Sequence, residues 1–132
     1  MTDVGFEPRR VAKPWGEELI WALTDRYCGK LITIETGRRL SLQLHERKDE
    51  AILVTRGRLR LVLEDDAGND MVRELGPGEG AHVPVGRRHR FEAIERVELV
   101  EVSTPELDDV VRLTVHLQRF GEEPSHRHPR VE

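Results

Sequence analysis

From Lys30 onward, short runs rich in Val, Ile, Leu and Thr alternate with clusters of Gly, Pro and Asp. Runs this short rarely make helices, so the pattern predicts strands over Cys28–Glu35, Leu40–His45, Glu50–Val54, Leu59–Asp65 and Met71–Leu75. It predicts four more over Gly80–Val83, His89–Ala93, Val97–Ser103 and Val110–Leu117. Asp66 to Asp70 reads as a hairpin turn, because Gly68 and Asn69 take up positive φ at little cost. Many short strands without intervening helices imply an all-β sandwich or barrel. Before it, Pro14 to Arg26 carries Trp15, Leu19, Ile20 and Leu23, which fit either a short helical turn or an edge strand packed on the outside. The expected organisation is an N-terminal arm over 1–27, a barrel over 28–120 and a polar, Pro-broken tail over 121–132 that is mobile or held by a neighbouring subunit. No internal repeat and no second domain is evident.

Alternation says which side chains share an interior. Residues two apart in a strand share a face, so Lys30 lies inward with Ile32 and Ile34. In the next strand Arg39, Ser41, Gln43 and His45 fall on one face and Leu40, Leu42 and Leu44 on the other. Either the polar row is solvated and the leucines form the core, or the polar row lines a cavity and the leucines pack on a second sheet or another subunit.

Composition narrows the partners. A chain of 132 residues suits one domain. A formal net charge of −4 with 35% charged residues gives no reason to expect nucleic acid, which leaves a small molecule as the default ligand. Cys28 is the sole cysteine, so no internal disulfide forms and a reducing compartment fits. No long apolar stretch spans a membrane, and the polar start lacks the apolar centre of a signal peptide. A cytoplasmic protein without a membrane partner is expected.

Two segments supply side chains able to bind one divalent ion: Gln43, His45 and Glu50 between Gly37 and Gly57, and His89 behind the frame of Gly78, Pro84 and Gly86. Their spacing resembles the two cupin motifs, G-x5-H-x-H-x3-4-E-x6-G and G-x5-P-x-G-x2-H-x3-N, with Gln43 in place of the first His and Ala93 in place of the final Asn. Gln at that position narrows the resemblance to the C-terminal cupin domain of type II phosphomannose isomerases, where a string like R-L-S-L-Q-x-H occurs. Here it reads Arg39-Leu-Ser-Leu-Gln-Leu-His45. Similar strings are Lys13 to Gly16, Pro84 to Arg90 and Glu101 to Arg112, so the resemblance runs from about Lys13 to Arg112. This chain departs from it at Glu46, Arg47 and Ile52, where the family has further histidines and an aromatic. No nucleotidyltransferase domain precedes the cupin, so sugar-nucleotide synthesis is not expected.

The resemblance implies a jelly-roll barrel of two antiparallel sheets, and Gln43, His45, Glu50 and His89 as ligands to one divalent ion. A mixed N/O set with a single carboxylate suits Zn²⁺, Mn²⁺, Fe²⁺, Co²⁺ or Ni²⁺. It also implies isomerisation of a sugar or sugar phosphate of the mannose 6-phosphate kind, through a polarised carbonyl and an enediol. Lys30 or a metal-bound water is the candidate base; Ser41, Arg39, Arg90 and Arg112 are the candidate substrate contacts, the arginines holding a phosphate. A homodimer is the family-level expectation. Alternatives are a metal-dependent module that binds a small ligand without turnover, and an Fe-dependent oxygenase, which Gln43 and the isomerase-like strings disfavour. His82 and His116 read as structural or surface residues, His126 and His128 as part of the tail, and Arg87 to Arg90 as a solvated turn or a phosphate clamp.

Overall fold

A computed structural model of the chain describes residues 5–113. Within them lie nine strands and no helix: β1 (Arg9–Lys13), β2 (Gly16–Leu23), β3 (Cys28–Ile34), β4 (Gln43–Leu44), β5 (Glu50–Glu64), β6 (Asp70–Leu75), β7 (Gly80–Val83), β8 (His89–Ser103) and β9 (Val111–Arg112). All the pairings are antiparallel. The result is the expected all-β barrel, built as one curled sheet with two halves.

What joins the halves is the length of β5 and β8, each 15 residues. Each merges two predicted strands, and the predicted gaps between them are bends rather than breaks. The β5–β8 register shifts between Val54 and Leu59, which lets both strands turn from one half into the other. Gly57 sits in this bend at φ +82°, where a Cβ would lie 1.9 Å from the Arg96 carbonyl oxygen, so no side chain fits. One half orders its strands β1-β2-β3-β8-β5-β7, and the other β9-β4-β8-β5-β6. Both halves bury residues in one core, including Ile32 and Ile34 from β3, Val54, Leu59 and Leu61 from β5, Val83 from β7 and Phe91, Val97 and Leu99 from β8. Each such side chain contributes about 1.5–3 kcal/mol by leaving water.

The segment Pro14 to Arg26 is a strand, not a helical turn. β2 pairs with β3, and β1 folds back on β2. Trp15 is in the core at 2% exposure rather than outside it, and Ile20 and Ala22 are also buried while Trp21 and Leu23 face out. Lys30, Ile32 and Ile34 all point inward, as alternation requires.

The run Leu40–His45 departs from a regular strand. Only Gln43–Leu44 is laddered, with an isolated bridge at Arg39 to Glu92. Leu40 and Ser41 are both buried, so the alternation breaks between them. In consequence Ser41, Gln43 and His45 face the interior, whereas Arg39 is outside, 3.8 Å from Glu92, and does not share their face. Leu40 belongs to the core, and Leu42 and Leu44 are half-buried on the opposite side. At the hairpin, the Asp65 carboxylate accepts from the N–H groups of Ala67 and Asn69, both at 2.9 Å, and Gly68 alone in the turn takes positive φ. Of the predicted strand Val110–Leu117, Val111–Arg112 is observed; residues 114–117, His116 and the tail lie outside the described residues. Among the described residues no helix is long and apolar enough to cross a membrane.

Candidate metal centre

His45 follows β4, Glu50 opens β5 and His89 opens β8, and the curl of the sheet brings the three together. One ligand atom from each lies within 4.8 Å of the others. Glu50 Oε2 is 3.7 Å from His45 Nε2 and 3.5 Å from His89 Nε2. The Pro84 to Gly86 frame holds the arrangement: Gly86 N–H donates to the His45 carbonyl at 2.7 Å, and Gln43 pairs with His89 across the ladder.

Second partners fix the imidazole tautomers. His45 Nδ1 lies 2.6 Å from the Asp109 carbonyl oxygen and His89 Nδ1 2.9 Å from that of Arg87. A carbonyl only accepts, so Nδ1 carries the hydrogen in both rings, and in a neutral ring Nε2 keeps its lone pair. Both Nε2 atoms are buried and have no hydrogen-bond partner among the described residues. Two buried acceptors left unpaired beside a carboxylate are costly in a bare site, and a cation is what such a donor set fits. Burial also holds the His89 imidazole below its ordinary pKa against the opposing pull of Glu50, which favours the neutral, ligating form.

Lys48 is enclosed between Glu50 and Glu101, its Nζ 3.0 Å from Glu50 Oε1 and 3.0 Å from Glu101 Oε2. Burial would raise the Glu50 carboxyl, but the Lys48 ammonium, joined by His45 and His89 when either ring is protonated, outweighs this and holds it well below the usual carboxylate range. Burial would likewise lower Lys48, and the two carboxylates overcome it and hold the ammonium above its ordinary value. Glu101 shifts upward, through burial first and the charge of Glu50 second, against Lys48 and Lys30. A second buried pair stands close by, Lys30 Nζ at 3.2 Å from Glu18 Oε1.

A cavity of about 220 Å³ brings these groups to one space; its walls include Gln43, His45, Glu50, Lys48, Glu101, Lys30 and Glu18. Lys13, Trp15 and Arg112 also line it, and the buried Trp15 Nε1 has no partner among the described residues. The remaining candidates are placed differently. Ser41 Oγ donates to Gln43 Oε1 at 3.0 Å. Arg90 is buried, with Nε donating to the Leu40 carbonyl at 3.1 Å. Arg39 borders a separate surface hollow with Arg60 and Glu92. His82 is exposed on the outside, 2.7 Å from Asp49, and Arg87 and Arg88 tie the turn before β8 to Glu64, Asp66 and Asp70.

Glu18, Lys48, Glu101, Trp15 and Asp109 were not assigned to the site from the sequence, although Trp15, Glu101 and Asp109 lie in the family-like strings. Signals for two of them exist: Lys48 lies two before Glu50, and Glu101 continues the inward row Val97, Leu99, Ser103. Glu18 and Asp109 join the site through non-local contacts that no periodicity shows.

An antiparallel barrel that gathers two His and one Glu from these two Gly- and Pro-framed segments defines a cupin. Solved structures of the same fold include KdgF from Halomonas sp., with a TM-score of 0.66 and 23% identity over 82% of this chain and 98% of that one. Oxalate decarboxylase from Bacillus subtilis aligns at a TM-score of 0.72 and 16% identity over 81% of this chain and 30% of that one. Within the cupins, the chain belongs to the mannose-6-phosphate isomerase C-terminal family, whose model matches residues 5–115. Relatives include the mannose-1-phosphate guanylyltransferase of Escherichia coli K12, 34% identical over an alignment of 118 residues that covers 86% of this chain and 23% of that protein. The alginate biosynthesis protein AlgA of Pseudomonas aeruginosa is 28% identical over an alignment of 108 residues that covers 78% of this chain and 21% of that protein. The chain thus spans about a quarter of the length of the curated relatives it matches.

Proposed function

We propose that the chain is a metal-dependent aldose–ketose isomerase of a sugar or sugar phosphate, with mannose 6-phosphate as the type of substrate. The observation that carries this reading is the cluster of His45, His89 and Glu50 beside a polar cavity, which His45 and Glu50 line, in a member of the mannose-6-phosphate isomerase C-terminal family. His45, His89 and Glu50 would hold one divalent ion, with Gln43 as a further oxygen donor oriented by the Ser41 hydroxyl. When bound, the ion supplies Lewis acidity that polarises a carbonyl and makes the neighbouring C–H acidic.

The chain's own residues do the rest. The Lys30–Glu18 pair is the proposed proton-transfer group: Glu18 accepts the proton from one carbon and returns it to the next, while Lys30 gives a proton to the carbonyl oxygen and recovers one from the neighbouring hydroxyl as that becomes the new carbonyl. Arg112 and Lys13 would hold an anionic group by charge-assisted hydrogen bonds, a role for which Arg39 stands on the wrong side of the wall. Arg90 acts indirectly, by fixing the Leu40 carbonyl and with it the segment leading to Gln43. Trp15 N–H is a donor suited to a ligand hydroxyl. Protein loaded in turn with Zn²⁺, Mn²⁺, Fe²⁺, Co²⁺ and Ni²⁺ is expected to interconvert at least one aldose and ketose in a panel of hexose phosphates, followed by NMR in D₂O. Failure with every substrate and metal overturns the reading.

A second reading, ligand binding without turnover, is favoured by the engagement of two of the three cavity lysines, Lys30 and Lys48, with carboxylates. Thermal stabilisation by a sugar phosphate without conversion would be its signature.

A further inference from the structure

No ladder holds residues 45–49: β4 ends at Leu44 and β5 begins at Glu50. Three successive N–H groups there have no ladder partner, those of the exposed Glu46 and Arg47 and that of Lys48, which is buried and lines the cavity. One side chain from far along the chain takes all three. Asp109 Oδ1 accepts from Glu46 N–H at 3.1 Å, and Oδ2 accepts from Arg47 N–H at 2.6 Å and Lys48 N–H at 2.8 Å. The carbonyl of the same residue receives His45 Nδ1–H at 2.6 Å. Asp109 is itself buried, at 9% exposure, and its neighbours Leu107, Asp108, Val110 and Arg112 line the cavity. A carboxylate seated on consecutive backbone N–H groups is a strong, charge-assisted anchor. Its main chain and side chain here grip the same short loop from two directions.

We propose that Asp109 is a positioning residue that couples metal loading to the wall that contacts the ligand. It fixes the His45 ring through its carbonyl, and its carboxylate keeps the loop carrying Lys48 against the segment of Leu107 to Arg112. Whatever orders His45 therefore orders that wall, and by linkage a ligand held by the wall tightens the metal site. The inference rests on the metal reading of His45, Glu50 and His89, and not on any particular reaction.

Two measurements on the full chain test it: Co²⁺ affinity by competition with a chelator, and hydrogen exchange of peptides covering 105–113 with and without Zn²⁺. For the wild type, Zn²⁺ is expected to slow exchange in that segment. Asp109→Ala keeps the backbone carbonyl on His45 but releases the N–H groups of residues 46–48, and is expected to weaken Co²⁺ binding about 10- to 100-fold, the range for outer groups that position a ligand, and to abolish the protection by Zn²⁺. Should that variant not fold, Asp109→Asn, which keeps one carbonyl acceptor, carries the same test with an expected loss of about 10-fold. Wild-type binding with folded Asp109 variants unchanged in affinity and protection overturns the coupling and leaves the metal reading standing. A wild type that binds neither ion overturns both.

Discussion

Replacing Lys48 by Met takes out the cation that bridges two buried carboxylates and leaves a side chain of similar length. The ammonium lies 3.0 Å from Glu50 and 3.0 Å from Glu101, and all three side chains are almost wholly enclosed. At an effective dielectric near 20, each contact supplies about 5 kcal/mol of attraction. Desolvation of the three ions offsets most of that gain, but it is not recovered when only the cation is removed, because the carboxylates stay where they are. The expected loss for the metal-free protein is about 3–5 kcal/mol, the range seen when one partner of a buried pair is deleted. In urea the unfolding midpoint should fall by about 2 M for a domain of this size. Metal-free protein is the right sample, since a bound cation would itself compensate Glu50. Adding Glu101→Gln to Lys48→Met removes one stranded charge and should restore part of the loss. A single variant whose midpoint stays within about 0.3 M of wild type, or a double variant no more stable than the single, would refute this account of the cluster.

Other expected outcomes concern the pH response and the barrel bend. Burial holds His89 below its ordinary pKa of 6.5, so its contribution to stability and metal affinity is complete above that value and is lost as the pH falls through the depressed one. Metal affinity by titration calorimetry, corrected for buffer protonation, should show no fall from His89 protonation down to pH 6.5; a proton uptake assigned to His89 by NMR between about pH 7 and 8 would contradict this. Gly57→Ala combines positive-φ strain with a Cβ 1.9 Å from the Arg96 carbonyl oxygen, for a loss of about 2–4 kcal/mol in thermal or urea unfolding. Gly86→Ala, whose Cβ meets nothing within 4 Å, should cost only the strain, about 1–2 kcal/mol. Equal losses for the two glycines would show that the bend does not depend on the close approach at Gly57.

Much of this could be read in the chain itself. Period-two alternation puts Lys30, Ile32 and Ile34 on one inner face, and the fixed spacing of Gly, Pro, His and Glu points to one site for His45, Glu50 and His89, which the fold brings together. What escaped has physical causes. Alternation fails where the ladder fails: Leu40 and Ser41 both turn inward, which moved Arg39 from the cavity face to the surface. Bends in a long strand look like two strands, because Gly57 and the charged residues around it interrupt the apolar run without ending the pairing. Trp15 belongs to the core through the pairing of β2 with β3, a contact between segments that local pattern does not encode. Asp109 and Glu18 reach the site from 64 residues beyond His45 and 12 before Lys30, respectively, so only the folded chain shows them.

The most direct measurement is metal content per chain by elemental analysis, on wild type and on His45→Ala, after loading with Zn²⁺ and exhaustive removal of the excess. With His45 Nε2, His89 Nε2 and Glu50 Oε2 as the ligating atoms, the wild type retains one ion per chain and the folded variant loses it. A wild type that retains none, or a His45→Ala protein that still holds one, would contradict the assignment of this triad as the metal centre.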